Sequence, residues 1–185
     1  MQGLVAAHGV SNTWTEYAVD LVAAANAAGI ACNSALQIRF NQYDDSPITT
    51  DGFAFDDITI DSVIDDAAFP FFEDFESGEL SKSWTSTGTG NFRTQVTSSH
   101  APYAGTYHGT MDTSASAARN ELTLFIDMSA TTQAALKFRH KEFSDEDHAM
   151  PTSFSSGSNS DGVAISDDGI TWRNVQGLIA SDGIS

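Results

Sequence analysis

The densest run of ligand-type side chains is Asp145-Glu146-Asp147-His148, three carboxylates and an imidazole in consecutive positions. Oxygen-rich groups of this kind suit a hard cation, because calcium takes about six to eight oxygen ligands and gains from carboxylates held close together. The plain alternative is an exposed polar loop. The five histidines, His8, His100, His108, His140 and His148, show no H-E-x-x-H or other metal spacing. His108 and His140 fall in strand-like segments, where a packing role is expected. No G-x-S-x-G nucleophile elbow and no phosphate-binding P-loop is present. Three tryptophans remain. Trp14, Trp84 and Trp172 either stack on sugar rings or are buried, the commoner outcome for so large an apolar ring.

Composition narrows the classes further. The chain has 185 residues with 8 Lys+Arg against 25 Asp+Glu, a net charge of -17. Nucleic-acid binding needs a basic face that displaces counterions from phosphate, and docking on anionic lipid needs a polybasic patch; this chain offers neither. With 41% apolar residues, 12 Phe among them, it carries enough to bury a core. One cysteine, Cys32, excludes an internal disulfide and a cysteine-based zinc cluster. No apolar run approaches the roughly 18–20 residues of a membrane-spanning helix. Residues 1–8 lack the basic and apolar regions of a signal peptide. If the protein is secreted, the chain is therefore expected to be an excerpt of something longer.

The two ends resemble each other. Residues 1–11, MQGLVAAHGVS, and residues 175–185, VQGLIASDGIS, are identical at six of eleven positions, at an offset of 174 residues. Chance similarity between short Gly/Ala-rich pieces is one explanation. The preferred one is a tandem array cut inside its repeat. Residues 1–65 are then the C-terminal half of one unit, and 66–185 the N-terminal half of the next.

Between the ends the pattern is mostly of period two. Leu36, Ile38 and Phe40 alternate with polar residues. Phe53, Phe55, Ile58 and Ile60 predict a second strand, bulged at Asp56-Asp57. Leu122, Leu124 and Ile126 predict a third, and Leu136, Phe138 and His140 a fourth. Val163 to Ser166 and Ile170 to Trp172 flank Asp168-Gly169, a turn pair that accepts positive φ, and so predict a hairpin. Helical signal is confined to Val22–Ala28, stopped by Gly29. Long Gly/Ser/Thr-rich loops, above all 144–160, complete an all-β pattern, an antiparallel β-sandwich.

Particular motifs add a resemblance. Phe72-Glu73-Asp74-Phe75-Glu76-Ser77-Gly78 followed by Trp84 resembles the opening strand of MAM-like and concanavalin-type jelly-roll repeat domains of large secreted bacterial surface proteins. Gly105 to Asp112, Asn120 to Leu124, Ile126 to Ser129, Phe143 to Glu146 and Asp161 to Ser166 continue in that family's order. Leu36 to Phe40 and Asp51 to Ile58 are similar to its last two strands. The order is thus circularly permuted, as a cut inside a repeat requires. The paired cysteines of animal MAM domains are missing.

The resemblance implies an extracellular, non-catalytic jelly roll, often with a structural calcium ion. Opening and closing strands lie together in such a fold, which brings Glu73 and Glu76 toward Asp56 and Asp57, with Asp112 able to join. These five are the expected calcium ligands; the alternative is a solvated acidic edge that discourages strand pairing between molecules. Concanavalin-type glucanases carry an E-x-D-x-E strand, which is absent. The expected function is a structural or adhesive repeat of a cell-surface protein or filament. Its partners are neighbouring copies, in tandem or head-to-tail by strand exchange. The alternative is a carbohydrate-binding module that takes polysaccharide on Trp14 and Trp84.

Overall fold

A computed structural model describes residues 13–45, 51–62, 71–143 and 145–179. The terminal segments that resemble each other lie outside these, apart from residues 175–179.

Ten strands and one helix follow one another among the described residues. They are β1 (Thr15–Asp20), α1 (Leu21–Ala28), β2 (Leu36–Asp44), β3 (Gly52–Ser62) and β4 (Phe71–Glu73), then β5 (Trp84–Thr97) and β6 (His108–Ile126). Last come β7 (Ala134–Phe143), β8 (Ser153–Ser155), β9 (Gly162–Ser166) and β10 (Thr171–Gly177). All strand pairings are antiparallel, in the order β1-β7-β3-β6-β2-β9-β10-β8, with β4 beside β3 and β5 beside β6.

The helix matches its sequence signals. Asp20 at the N-cap accepts a hydrogen bond from the Ala23 N–H at 2.9 Å. Gly29 closes the last turn at φ 69°, a left-handed conformation that glycine adopts without steric cost. Leu21 and Ala25 are the residues it buries.

The long strand β6 shapes the sheet. Its first part, Gly109 to Met111, pairs with β3, and its second part, Ala118 to Ile126, pairs with β2. β5 follows it along both parts, with a break where Asn91 faces four residues, Ser114 to Ala117. β6 therefore carries the chain from one end of the sheet to the other, and the sheet curls upon itself. Phe40 on β2 meets Phe55 on β3 at 4.7 Å and Phe138 on β7 at 5.2 Å between ring centroids, although β6 separates β2 from both in strand order. Trp84 adds an edge contact to Phe40, and Tyr17 stacks on Phe138. Truncating any one of these buried phenylalanines to alanine costs roughly 3–5 kcal/mol.

The expected bulge in β3 is present. Asp56 faces Arg139, yet Thr59 faces Lys137, so β3 advances three residues while β7 advances two. Asp57 absorbs the extra residue at φ 48°. The hairpin β9–β10 also forms, with Asp168 accepting hydrogen bonds from the Ile170 and Thr171 N–H groups. Strands from residues 1–65 and from 66–185 interleave in this single sheet, where β2 lies between β6 and β9.

Candidate metal centre

Burial of charge identifies the site. At one end of the sheet, Asp44 closes β2, Asp51 precedes β3, Glu142 sits near the end of β7, Asp145 and Glu146 follow β7, and Asp161 precedes β9. Asp44, Asp51, Asp145 and Asp161 are all 0% exposed, and Glu142 is 2% exposed. Strand pairing assembles them. Gly52 lies opposite Phe143, and Phe53 opposite Glu142, so the start of β3 meets the end of β7. Asn41 pairs with Gly162, which draws Asp161 to the last residues of β2.

Within this group, ligand oxygens of Asp44, Asp51 and Glu146 all lie within 4.8 Å of one another. Gly52 allows the close approach. It stands at φ 141°, and a Cβ there would run into the Met111 carbonyl oxygen and the Asp112 side chain.

The local electrostatics are unfavourable to so many anions. Burial pushes the Glu142 carboxyl up to about 9, and the charges of Asp147, Asp161 and Glu146 add to the effect. Burial raises Asp145 well above the usual carboxylate range, with Asp161, Glu142 and Asp44 pressing further. Asp51 is pushed to about 6, again chiefly by burial. The arginines pair with other acids: Arg39 and Arg119 with Glu121, Arg93 with Asp112, Arg139 with Glu16.

Two members are secured by the protein itself. Asp161 accepts from the Tyr43 N–H at 2.8 Å and the His148 N–H at 2.6 Å, and lies 3.4 Å from His148 Nδ1. The hydrogen bond to Asp161 is the main reason the His148 imidazole is raised to about 9. Asp145 Oδ1 accepts from Gln42 Nε2 at 2.9 Å; Gln42 Oε1 in turn accepts from Asn120 Nδ2 at 2.7 Å. Other oxygens have no hydrogen-bond partner among the described residues: both of Glu142, Oδ2 of Asp145 and Oε2 of Glu146; Asp51 meets the Asp44 carboxyl.

The five carboxylates expected from the sequence behave differently. The pairing of β3 with β4, Ile58 against Glu73, brings four of them to one edge. There Glu73, Glu76 and Asp56 hold backbone. Glu73 accepts from the Phe75 N–H and from Trp84 Nε1. Glu76 Oε1 accepts from the Thr106 and Tyr107 N–H groups, both at 2.8 Å. Asp56 accepts from the N–H groups of Asp57, Tyr103 and Ala104. The Asp57 carboxyl is raised, first by burial; Arg139 opposes this, and Asp74 and Glu76 reinforce it. Asp112 lies apart from this group and grips Arg93 with both oxygens, at 2.6 and 2.7 Å.

Of the sugar-stacking candidates, Trp84 is buried and donates to Glu73. Trp14 donates to the Ala101 carbonyl, meets Tyr103 and His108 edge-on, and carries Lys141 Nζ 4.7 Å from its ring centroid. Trp172 is wholly buried beneath the Arg39 guanidinium at 3.8 Å.

The run Asp145 to His148 belongs to the acidic site, whereas Asp44, Asp51, Glu142 and Asp161 carry no local signature. The only hint they leave is the Asp-Gly pair at 51–52 and again at 161–162. Comparison of the chain with family profiles, curated proteins and solved structures gives no match.

Proposed function

We propose that the chain is a non-catalytic structural or adhesive module of an extracellular surface protein or filament, with the curled sheet forming a jelly-roll sandwich. One observation carries this reading: carboxylates from four separate segments are buried together, where their use is to fasten the fold once counter-charge is supplied. The same device recurs across the molecule, since Glu76, Asp56 and Glu73 each tie a remote backbone segment or ring. Acid groups spent in this way are unavailable for turnover. The MAM-like resemblance of the opening motif agrees with this class, and a net charge of -17 suits a calcium-rich or saline exterior.

The interleaving of β2 among β6 and β9 favours a unit that closes through its own strands. Neighbouring copies would then be joined by the chain in tandem. Head-to-tail strand exchange is the competing assembly.

A panel of soluble polysaccharides tests the class. The expected result is no hydrolysis by the purified chain at any pH from 4 to 9. Reproducible cleavage that is abolished in Glu142→Gln or Glu146→Gln would turn the acidic site into a glycosidase site and overturn the reading.

A further inference from the structure

We propose that the acidic site is a calcium centre, in which Asp44, Asp51 and Glu146 supply the carboxylate oxygens and Glu142 and Asp145 are buried acids beside them. The inference rests on the structural reading above and deepens it by naming the ion.

Two independent observations support it. The first is convergence: oxygens from β2, from the residue before β3 and from the loop after β7 meet within 4.8 Å, a spacing that one ion bridges. The second is lack of partners in a dry place. Asp51 and Glu142 are 0% and 2% exposed, yet neither oxygen of Glu142 has a hydrogen-bond partner among the described residues, and the side chain that meets Asp51 is Asp44, a further carboxyl of the same cluster. A buried ionised carboxylate without a partner is strongly disfavoured, so such groups are paired or coordinate metal.

Donor chemistry selects the ion. The shell offers carboxylate oxygens alone, without thiolate, and His148 is already engaged by Asp161 and Asp45. That excludes a zinc-type ligand set and suits a hard cation. Magnesium keeps several waters and an octahedral geometry, whereas calcium accepts many protein oxygens at flexible angles. Gln42 and Asn120 form a second layer: Gln42 fixes Asp145, and Asn120 fixes Gln42 and also donates to the Asp112 carbonyl. Orienting ligands in this way is the ordinary work of groups behind a metal.

The test is calcium titration of the whole chain in metal-stripped buffer by isothermal calorimetry, repeated with Asp51→Asn, Glu146→Gln and Glu76→Gln. The site predicts one saturable ion per chain, with Kd at or below roughly 1 mM as in extracellular modules. Asp51→Asn and Glu146→Gln each weaken binding about tenfold or more, the usual order for losing a ligand. Glu76→Gln, at the other acidic edge, leaves Kd unchanged. Absence of binding by the wild-type chain at 10-fold that Kd overturns the proposal, and needs no variant to fold. So does binding that Glu76→Gln abolishes and Asp51→Asn spares. Calcium bound without any gain in melting temperature keeps the site and sinks the structural reading. Conversely, no binding together with stabilisation by Glu142→Gln sinks the site and keeps the structural reading.

Discussion

Trp84 Nε1 donates a hydrogen bond to Glu73 Oε2 at 3.2 Å, and both side chains are buried. The other oxygen of Glu73 accepts from the Phe75 N–H at 3.1 Å, holding a buried phenylalanine at φ 57°. One carboxylate thus seats an indole and fixes a strained turn. Glu73→Ala removes both acceptors and is predicted to cost roughly 2–4 kcal/mol in urea unfolding. Glu73→Gln keeps one acceptor and should cost less than half of that. Equal stability of Glu73→Ala and wild type would show that the turn holds without it.

A second prediction concerns His108. The ring is wholly buried beside Trp14, and neither nitrogen has a hydrogen-bond partner among the described residues. Burial lowers its pKa to about 4, helped by Lys141 and His100. For a base with a depressed folded pKa, the unfolded chain binds more protons below about 6.5, so stability is lost as pH falls from there toward 4. Between pH 6.5 and 5 the wild type should lose about 1–2 kcal/mol more than His108→Phe. Parallel stability profiles for the two chains would contradict this account of the ring.

Much of the frame was legible in the sequence because one face of each strand packs on the core. Leu36, Ile38 and Phe40 are all 0% exposed, and the alternation that predicts their strand is real. The bulge at Asp56-Asp57, the Asp-Gly hairpin and the helix stopped by Gly29 follow equally from local chemistry. β5 was not legible. From Thr85 to Asn91 it is Ser, Thr, Gly and Asn, and its pairing partner lies on one side only, so no apolar alternation is imposed. The second half of β2 hid for another reason: Asn41, Gln42 and Asp44 are buried and polar, and tertiary partners alone explain them. For the acidic centre, the sequence exposed the contiguous run 145–148. The remaining carboxylates became neighbours only through the pairing of β3 with β7 and of β2 with β9.

Charge burial gives a third prediction. With divalent ions chelated, Glu142→Gln replaces a buried acid by a neutral isostere among Asp161, Glu146 and Asp147. At pH 7.5 a carboxyl held at about 9 is protonated in the folded chain and ionised in the unfolded one, so removing that cost should raise stability by roughly 1–4 kcal/mol. A destabilised variant, read by urea unfolding, would mean that Glu142 serves an attractive contact and not a repulsive one.

The curled sheet also predicts oligomeric state. Because β1, β2 and β3 pair with later strands of the same chain, the isolated protein should be a monomer by light scattering at micromolar concentration. Filaments or concentration-dependent growth would instead favour exchange of strands between molecules.

Thermal unfolding in excess EDTA and in calcium at about 100 times Kd tests the central claim most directly. Ligand linkage at that concentration contributes about 2.7 kcal/mol, which for a chain of this size corresponds to a rise in Tm of roughly 5–11 °C. The account predicts that rise in the wild type and about half of it or less in Asp51→Asn at the same calcium concentration. Identical melting curves in EDTA and calcium would contradict it.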